Sequence, residues 1–263
     1  MMKEIVFEHV TFQYPDTDSV IFDDLSLTLA RGITTLVGQN GTGKSTFLLL
    51  AAGLLLPTSG KVYVQGIDTA QLQDEEKRQQ YVSFIFQNME FETHESIRTL
   101  LHVVLDTGFR QPKDEELIQS LIQAFELESV LDHKTQEVSK GELQRTILAF
   151  SLLYGSQIIM MDEPIFAMEG PQKQRAMDFI TRFVTQENRS LYYTVHNLDI
   201  SQTYSDYALL FNTHGFIQYG LASFLLTREQ LEAAYEIPLV FLKQQERLHR
   251  GALNSDYQKH RFN

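Results

Sequence analysis

The chain has 263 residues, 43% hydrophobic and 21% charged, enough to bury a sizeable core in one large domain or two small ones. Its formal net charge of -12 argues against a broad nucleic-acid partner, leaving room only for a local basic patch, and the lack of cysteine excludes disulfides and thiolate metal sites. The longest apolar run, Phe47 to Leu56, falls short of the roughly 20 residues that cross a bilayer, and Glu4, Glu8 and His9 break any signal-peptide-like stretch. A cytoplasmic protein is expected, with any membrane role supplied by a partner.

Glu4 to Tyr14 alternates like a strand, with Ile5, Phe7, Val10 and Phe12 among polar neighbours. A second strand is expected over Ser26 to Ala30 and a third, β-branched and buried, over Ile33 to Val37. A helix is expected over Lys44 to Leu55, a turn at Pro57-Thr58-Ser59-Gly60, and strands at Lys61 to Gln65 and Val82 to Phe86. The texture then changes. Leu117, Leu121 and Phe125 recur at helical spacing, as do Leu143, Ile147, Phe150 and Tyr154, before strand signals return at Ile158 to Met161, Leu191 to Val195 and Ala208 to Phe211. The pattern predicts an α/β core, residues 1–87 and 155–220, interrupted by a helical lobe, 88–154, and followed by an extension, 221–263.

Gly38-Gln39-Asn40-Gly41-Thr42-Gly43-Lys44-Ser45 fits G-x-x-x-x-G-K-[ST] in full. Glycines let the backbone turn its N–H groups inward on phosphate oxygens. Lys44 is placed to reach the β- and γ-phosphates, Ser45 to ligate Mg²⁺, and the following helix adds its positive end. The loop alone specifies a nucleotide, not a function.

Ile158 to Met161 ends in Asp162 and Glu163, whose side chains diverge at the strand end and can serve separately. Asp162 would hold the Mg²⁺ shell and Glu163 would polarise an attacking water. Alone, the pair is also what an ordinary solvated strand end looks like. His196, after another apolar strand, could contact a γ-phosphate or be a plain loop residue, and Gln87 is uninformative in isolation. Ser139-Lys140-Gly141-Glu142 has the S-x-x-E form of a capping box, leaving the N–H groups of Lys140 and Gly141 at a positive helix end where an anion can bind.

Taken in order, the phosphate loop, Gln87, Ser139 to Glu142 followed by Gln144-Arg145, Asp162-Glu163-Pro164 and His196 resemble the ABC ATPase family, over Phe7 to about Gly220. The resemblance implies a P-loop NTPase core with an N-terminal antiparallel β part and an inserted helical subdomain. It also implies ATP and Mg²⁺ as cofactors, with two such chains, identical or different, facing head to tail. One subunit then contributes Tyr14, stacked on adenine, together with Gly38, Asn40 and the run Gly41, Thr42, Gly43, Lys44, Ser45 and Thr46. The other closes the site with Ser139, Gly141 and Glu142. Catalysis falls to Glu163, His196, Lys44 and Gln87, and the metal to Ser45, Gln87 and Asp162.

Two departures stand out. The family's signature usually reads L-S-G-G-Q, against Val138-Ser139-Lys140-Gly141-Glu142 here, and its D-loop usually ends in Asp, against Phe166-Ala167-Met168-Glu169 here. The interval between Lys44 and Ser139 is too short for the coiled coils of chromosome-maintenance relatives. Two readings remain: the subunit that powers a membrane permease, with the family's docking region after Gln87 through Phe91, Ile97 and Leu101, or an ABC ATPase of assembly or repair without a permease; the apolar content of that region fits a contact surface and lobe core equally. Thr227 and Gln230 occupy capping-box positions, and the stretch through Tyr235, Ile237 and Pro238 resembles the end of importer ATPases for iron chelates, haem and cobalamin. Gln244 to Asn263 is polar and is expected to be disordered.

Overall fold

A computed structural model describes residues 3–242. The antiparallel sheet has the order β2-β1-β4-β5, formed by β1 (Lys3–Gln13), β2 (Val20–Ala30), β4 (Ser59–Val64) and β5 (Ile67–Asp68). The second sheet has six strands. Its parallel part runs β9 (Tyr207–Phe211), β3 (Ile33–Val37), β8 (Ser190–Thr194), β7 (Ile158–Met161) and β6 (Val82–Ile85), and β10 (Ile217–Leu221) pairs antiparallel on the outer edge of β9.

Nine α-helices lie among the described residues. The first two are α1 (Lys44–Ala51) and α2 (Glu75–Tyr81). Between β6 and β7 come α3 (Ile97–Thr107), α4 (Glu115–Phe125) and α5 (Lys140–Tyr154). Then follow α6 (Gly170–Gln186), α7 (Leu198–Tyr204), α8 (Ala222–Leu225) and α9 (Arg228–Tyr235).

The central strands are buried on both faces, as parallel strands covered by helices are. Successive residues of β7 therefore serve different cores: Ile158 and Met160 join the cluster around α1 and the antiparallel sheet, Ile159 and Met161 the cluster of α3 to α6. In the first cluster Phe47 of α1 stacks on Phe7 at 4.4 Å, tying the helix after the phosphate loop to the antiparallel sheet. A third cluster packs α8 and α9 against β9.

Three local expectations are corrected. The helix expected to reach Leu55 stops at Ala51, because Gly53, at φ +69°, closes it: the Gly53 N–H donates to the Leu50 carbonyl and the Leu54 N–H to the Leu49 carbonyl. Leu54 and Leu55 prolong the apolar pattern only because they still pack on the same core. β2 begins at Val20 rather than Ser26, carrying the acidic pair Asp23-Asp24 through an irregularity where Asp24 (φ +53°) lies beside His9 (φ +50°). Thr227 does sit at the start of α9 but makes no capping hydrogen bond. For Ile97 and Leu101, which fit a docking surface or lobe core equally in sequence, the structure decides for lobe core: both are fully buried. The tail from Gln244 lies outside the described residues.

Candidate functional site

In a parallel sheet, loops at the carboxyl ends of neighbouring strands share one edge, and ligands bind there. Here that edge collects the phosphate loop after β3, the acids after β7, Val195 and His196 after β8, and Gln87 in the turn after β6. The order β3-β8-β7-β6 alone sets the loop, the histidine and the acids side by side.

The loop keeps α1 open at its start. Gly43 is the N-cap in the left-handed region (φ +95°), no side chain caps the helix, and its first turn holds no acidic residue. A Cβ on Gly43 would come within 2.9 Å of Ile21 Cγ2, and one on Gly38 within 2.8 Å of the Phe211 carbonyl oxygen, so both positions require glycine. Lys44 Nζ folds back to donate to the Gly38 and Gln39 carbonyls at 2.8 and 2.7 Å. Burial lowers its pKa, while the charges of Glu163 and then Asp162 pull the other way. Thr42 Oγ1 donates to the same Gln39 carbonyl, and the Gln39 side chain donates to the Tyr235 carbonyl at the end of α9.

Tyr14, just past β1, is half-buried. Its hydroxyl lies 3.1 Å from Thr46 Oγ1 and its ring stands edge-on to Phe12 at 4.9 Å, so it is tied to the loop's helix. The acids differ in their surroundings. Asp162 is buried and accepts a hydrogen bond from the Thr194 hydroxyl at 2.5 Å. Glu163, at φ +51°, has Oε1 2.7 Å from His196 Nε2, and its Oε2 is buried without a hydrogen-bond partner. The carboxylate accepts, so the histidine carries its hydrogen on Nε2 in this arrangement. The Glu163 N–H donates to Thr194 Oγ1 at 2.9 Å and its carbonyl accepts from Gln144 Nε2 at 3.2 Å.

At α5 both halves of the expected capping box form. The Glu142 N–H donates to Ser139 Oγ, and the Ser139 N–H and hydroxyl donate to Glu142 Oε2 at 2.8 and 2.7 Å. Ser139 and Glu142 thus bond each other, not the phosphate loop of the same chain. Lys140 Nζ pairs with Glu90 at 3.0 Å, and a Cβ on Gly141 would meet the Ala167 carbonyl oxygen at 3.1 Å. Gln87 is exposed, two residues beyond the Ile85–Met161 pair. Next to it a shallow groove lies between Phe86, Met89 and Glu90 on one side and Lys140, Leu143 and Ile147 on the other.

These groups suit a nucleotide and a hard cation. The open N-terminus of α1 and Lys44 answer phosphate charge, and the oxygens of Ser45 and Asp162 are the donors Mg²⁺ prefers. Among the described residues no group of three or more His, Cys, Asp or Glu could hold a metal by itself. Sequence reading passed over Thr194: a threonine closing an apolar strand looks like ordinary β-propensity, and only the strand order sets it beside the acids.

The family model described as "ABC transporter" matches residues 22–166, more than half of the chain. The putative HMP/thiamine import ATP-binding protein YkoD of Bacillus subtilis is 28% identical over 243 residues, covering 90% of this chain but 44% of that protein. The lipoprotein-releasing system ATP-binding protein LolD of Colwellia psychrerythraea is 30% identical over 192 residues, covering 70% of this chain and 73% of that one. Among solved structures, the dimeric post-hydrolysis state of the cassette MJ0796 bound to ADP and Pi aligns with a TM-score of 0.71 at 21% identity, over 83% of this chain and 98% of that one. An inward-facing metal-chelate type ABC transporter aligns with a TM-score of 0.68 at 22% identity, over 90% of each chain. These solved structures show the same fold, and the family match establishes that the chain belongs to the ABC transporter family.

Proposed function

We propose that the chain is the energy-coupling subunit of a membrane importer, working as one of a pair of cassettes at the inner face of the cell membrane. The observation that carries this reading is Glu163 itself: one carboxylate oxygen on His196, the other buried without a partner, on the same sheet edge as Lys44 and Asp162. A buried acceptor that lacks a donor is costly unless something supplies one, and an attacking water would.

The division of labour follows. Lys44 exchanges two loop carbonyls for phosphate oxygens, which are charged and therefore stronger acceptors. Tyr14 offers its ring to the base, and Gly38, Asn40 and the run Gly41 to Thr46 cradle the phosphates. Ser45 and Asp162, with Gln87 at the rim, hold Mg²⁺, which when bound neutralises charge developing on the phosphate oxygens. Glu163 takes the proton of the attacking water, and His196 fixes its carboxylate. Ser139, Gly141 and Glu142 serve the site of the second subunit, where the N–H groups of Lys140 and Gly141 meet phosphate.

Residues 1–87 and 155–220 form the ATPase core in this reading, 88–154 the signature subdomain and 221–263 the extension. No helix among the described residues is long and apolar enough to cross a membrane, and this reading assigns the permease to a partner. The groove beside Gln87, with exposed Phe86 and Met89, has the apolar rim that suits an inserted permease segment. Relatives named as import ATP-binding proteins support the direction of transport.

Glu163→Gln tests the reading. It should keep ATP binding, lower turnover by about 100-fold or more, and sediment as a dimer with saturating ATP and Mg²⁺. Turnover at the wild-type rate would remove Glu163 as the base, and a strictly monomeric profile would remove self-pairing.

A further inference from the structure

β8 runs Ser190-Leu191-Tyr192-Tyr193-Thr194, every residue buried. Its final side chain is 2% exposed, and a hydroxyl so placed must find partners inside the protein. The register supplies them. Met161 pairs with Tyr193, so one step further Thr194 stands beside the start of the acid pair. Its Oγ1 donates to Asp162 Oδ1 at 2.5 Å, a length typical of a hydroxyl on a carboxylate, and accepts the Glu163 N–H at 2.9 Å. One oxygen atom thus joins the side chain of one acid to the backbone of the next.

The Glu163 backbone needs such a hold. Its φ of +51° lies in the left-handed region, which a non-glycine residue keeps only where its surroundings over-determine it. Thr194 holds the N–H, Gln144 holds the carbonyl and His196 holds the carboxylate. Gln144 also accepts the Ala167 N–H at 2.8 Å, so its amide spans the segment after the acids. Of these three, only Thr194 also touches Asp162.

We propose that Thr194 is a positioning residue of ATP hydrolysis, whose single hydroxyl sets the orientation of Asp162 and the backbone of Glu163 together. In this role it acts through the two acids. Its part is to make the metal-holding carboxylate and the proton-accepting carboxylate one rigid unit, so that neither can be aimed independently. The inference rests on the roles proposed above for Asp162 and Glu163.

The test uses the full chain with Thr194→Val, which keeps the shape and removes the hydroxyl, Thr194→Ser, which keeps the hydroxyl, and Glu163→Gln. A displacement of about 1 Å at a reacting group can cost about 100-fold. Thr194→Val should therefore lower kcat by about 10- to 100-fold with KM for ATP within about twofold, and Thr194→Ser should restore most of it. Two readouts do not depend on turnover. Amide exchange of the peptide spanning 160–168 should speed up in Thr194→Val and not in Thr194→Ser. The Mg²⁺ midpoint for binding a fluorescent ATP analogue should rise in Thr194→Val alone. Should the valine variant fail to fold, Thr194→Cys, of similar volume but with a poor donor, takes its place with the same expectation.

Wild-type kcat and unchanged exchange in the hydroxyl-free variant, with Glu163→Gln inactive, would overturn the role of Thr194 and leave the base assignment standing. Wild-type turnover in Glu163→Gln would instead overturn the assignment on which the inference rests.

Discussion

The two helix starts that the proposed function assigns to phosphate are built in opposite ways. α1 opens on Gly43 with no side-chain cap and no acid in its first turn. α5 opens on Ser139 with a reciprocal box, and Glu142 in its first turn is held below the usual carboxylate range, chiefly by the Ser139 hydroxyl and then by the Ser139 N–H. Every helix leaves its first N–H groups without partners. At α1 no side chain caps those groups, and Lys44 donates to loop carbonyls. At α5 the cap is already satisfied within one chain. An open start suits a primary binding site that fills in a single subunit. A satisfied start suits a surface that must stay stable alone and engage phosphate only when a second subunit brings it.

The contrast breaks first at Lys44. Lys44→Ala removes a charged donor from the open site, so affinity of the isolated chain for ATP should fall by about 10- to 100-fold. Titration of a fluorescent ATP analogue measures it, and unchanged affinity would mean that the loop amides and the end of α1 bind phosphate without the lysine.

The open site was the more legible of the two in sequence. G-x-x-x-x-G-K-[ST] constrains backbone and side chain together, and Gly38 and Gly43 prove to be positions where a Cβ collides. Ser139 and Glu142 were legible because a capping box is local, closing over three residues. Contacts between distant parts of the chain left no such trace. Thr194 reaches Asp162 across 32 positions, and Gln39 reaches the Tyr235 carbonyl across 196. Apolar periodicity misled at Leu54 and Leu55, which pack on the core after the helix has ended, and it could not choose between contact surface and lobe core for Ile97 and Leu101, which fill the lobe. The groove's exposed apolar residues, Phe86 and Met89, lie in a turn where no period marks them.

Ser139→Ala sharpens the comparison from the other side. Losing the cap should cost about 1 kcal/mol, seen as a melting point lower by about 3 °C. ATP binding to the isolated chain should not change, because the cap lies outside that chain's own phosphate loop. Hydrolysis by the assembled pair should fall by about tenfold through the loss of one donor. A drop in single-chain ATP affinity equal to that of Lys44→Ala would erase the distinction between the two helix starts.

Glu142→Gln makes the smallest change, since glutamine can also close a capping box but carries no charge. The negative charge at a helix N-terminus is worth about 0.5 kcal/mol for a partly exposed group. The sign with pH follows from the lowered pKa. A depressed folded-state value means that Glu142 contributes stability above its ordinary value of 4.5, and that this contribution fades as pH falls through the folded value. The melting point of the wild type should therefore exceed that of Glu142→Gln slightly near neutrality, and the gap should close on acidification below 4.5. The same substitution removes an anion from the surface that is to meet phosphate, while α1 has no acid there to remove. ATP-driven pairing, followed by sedimentation, should accordingly tighten by a small factor even as the single chain loses stability. A melting difference that persists unchanged in acid would show that the carboxylate acts through packing rather than charge.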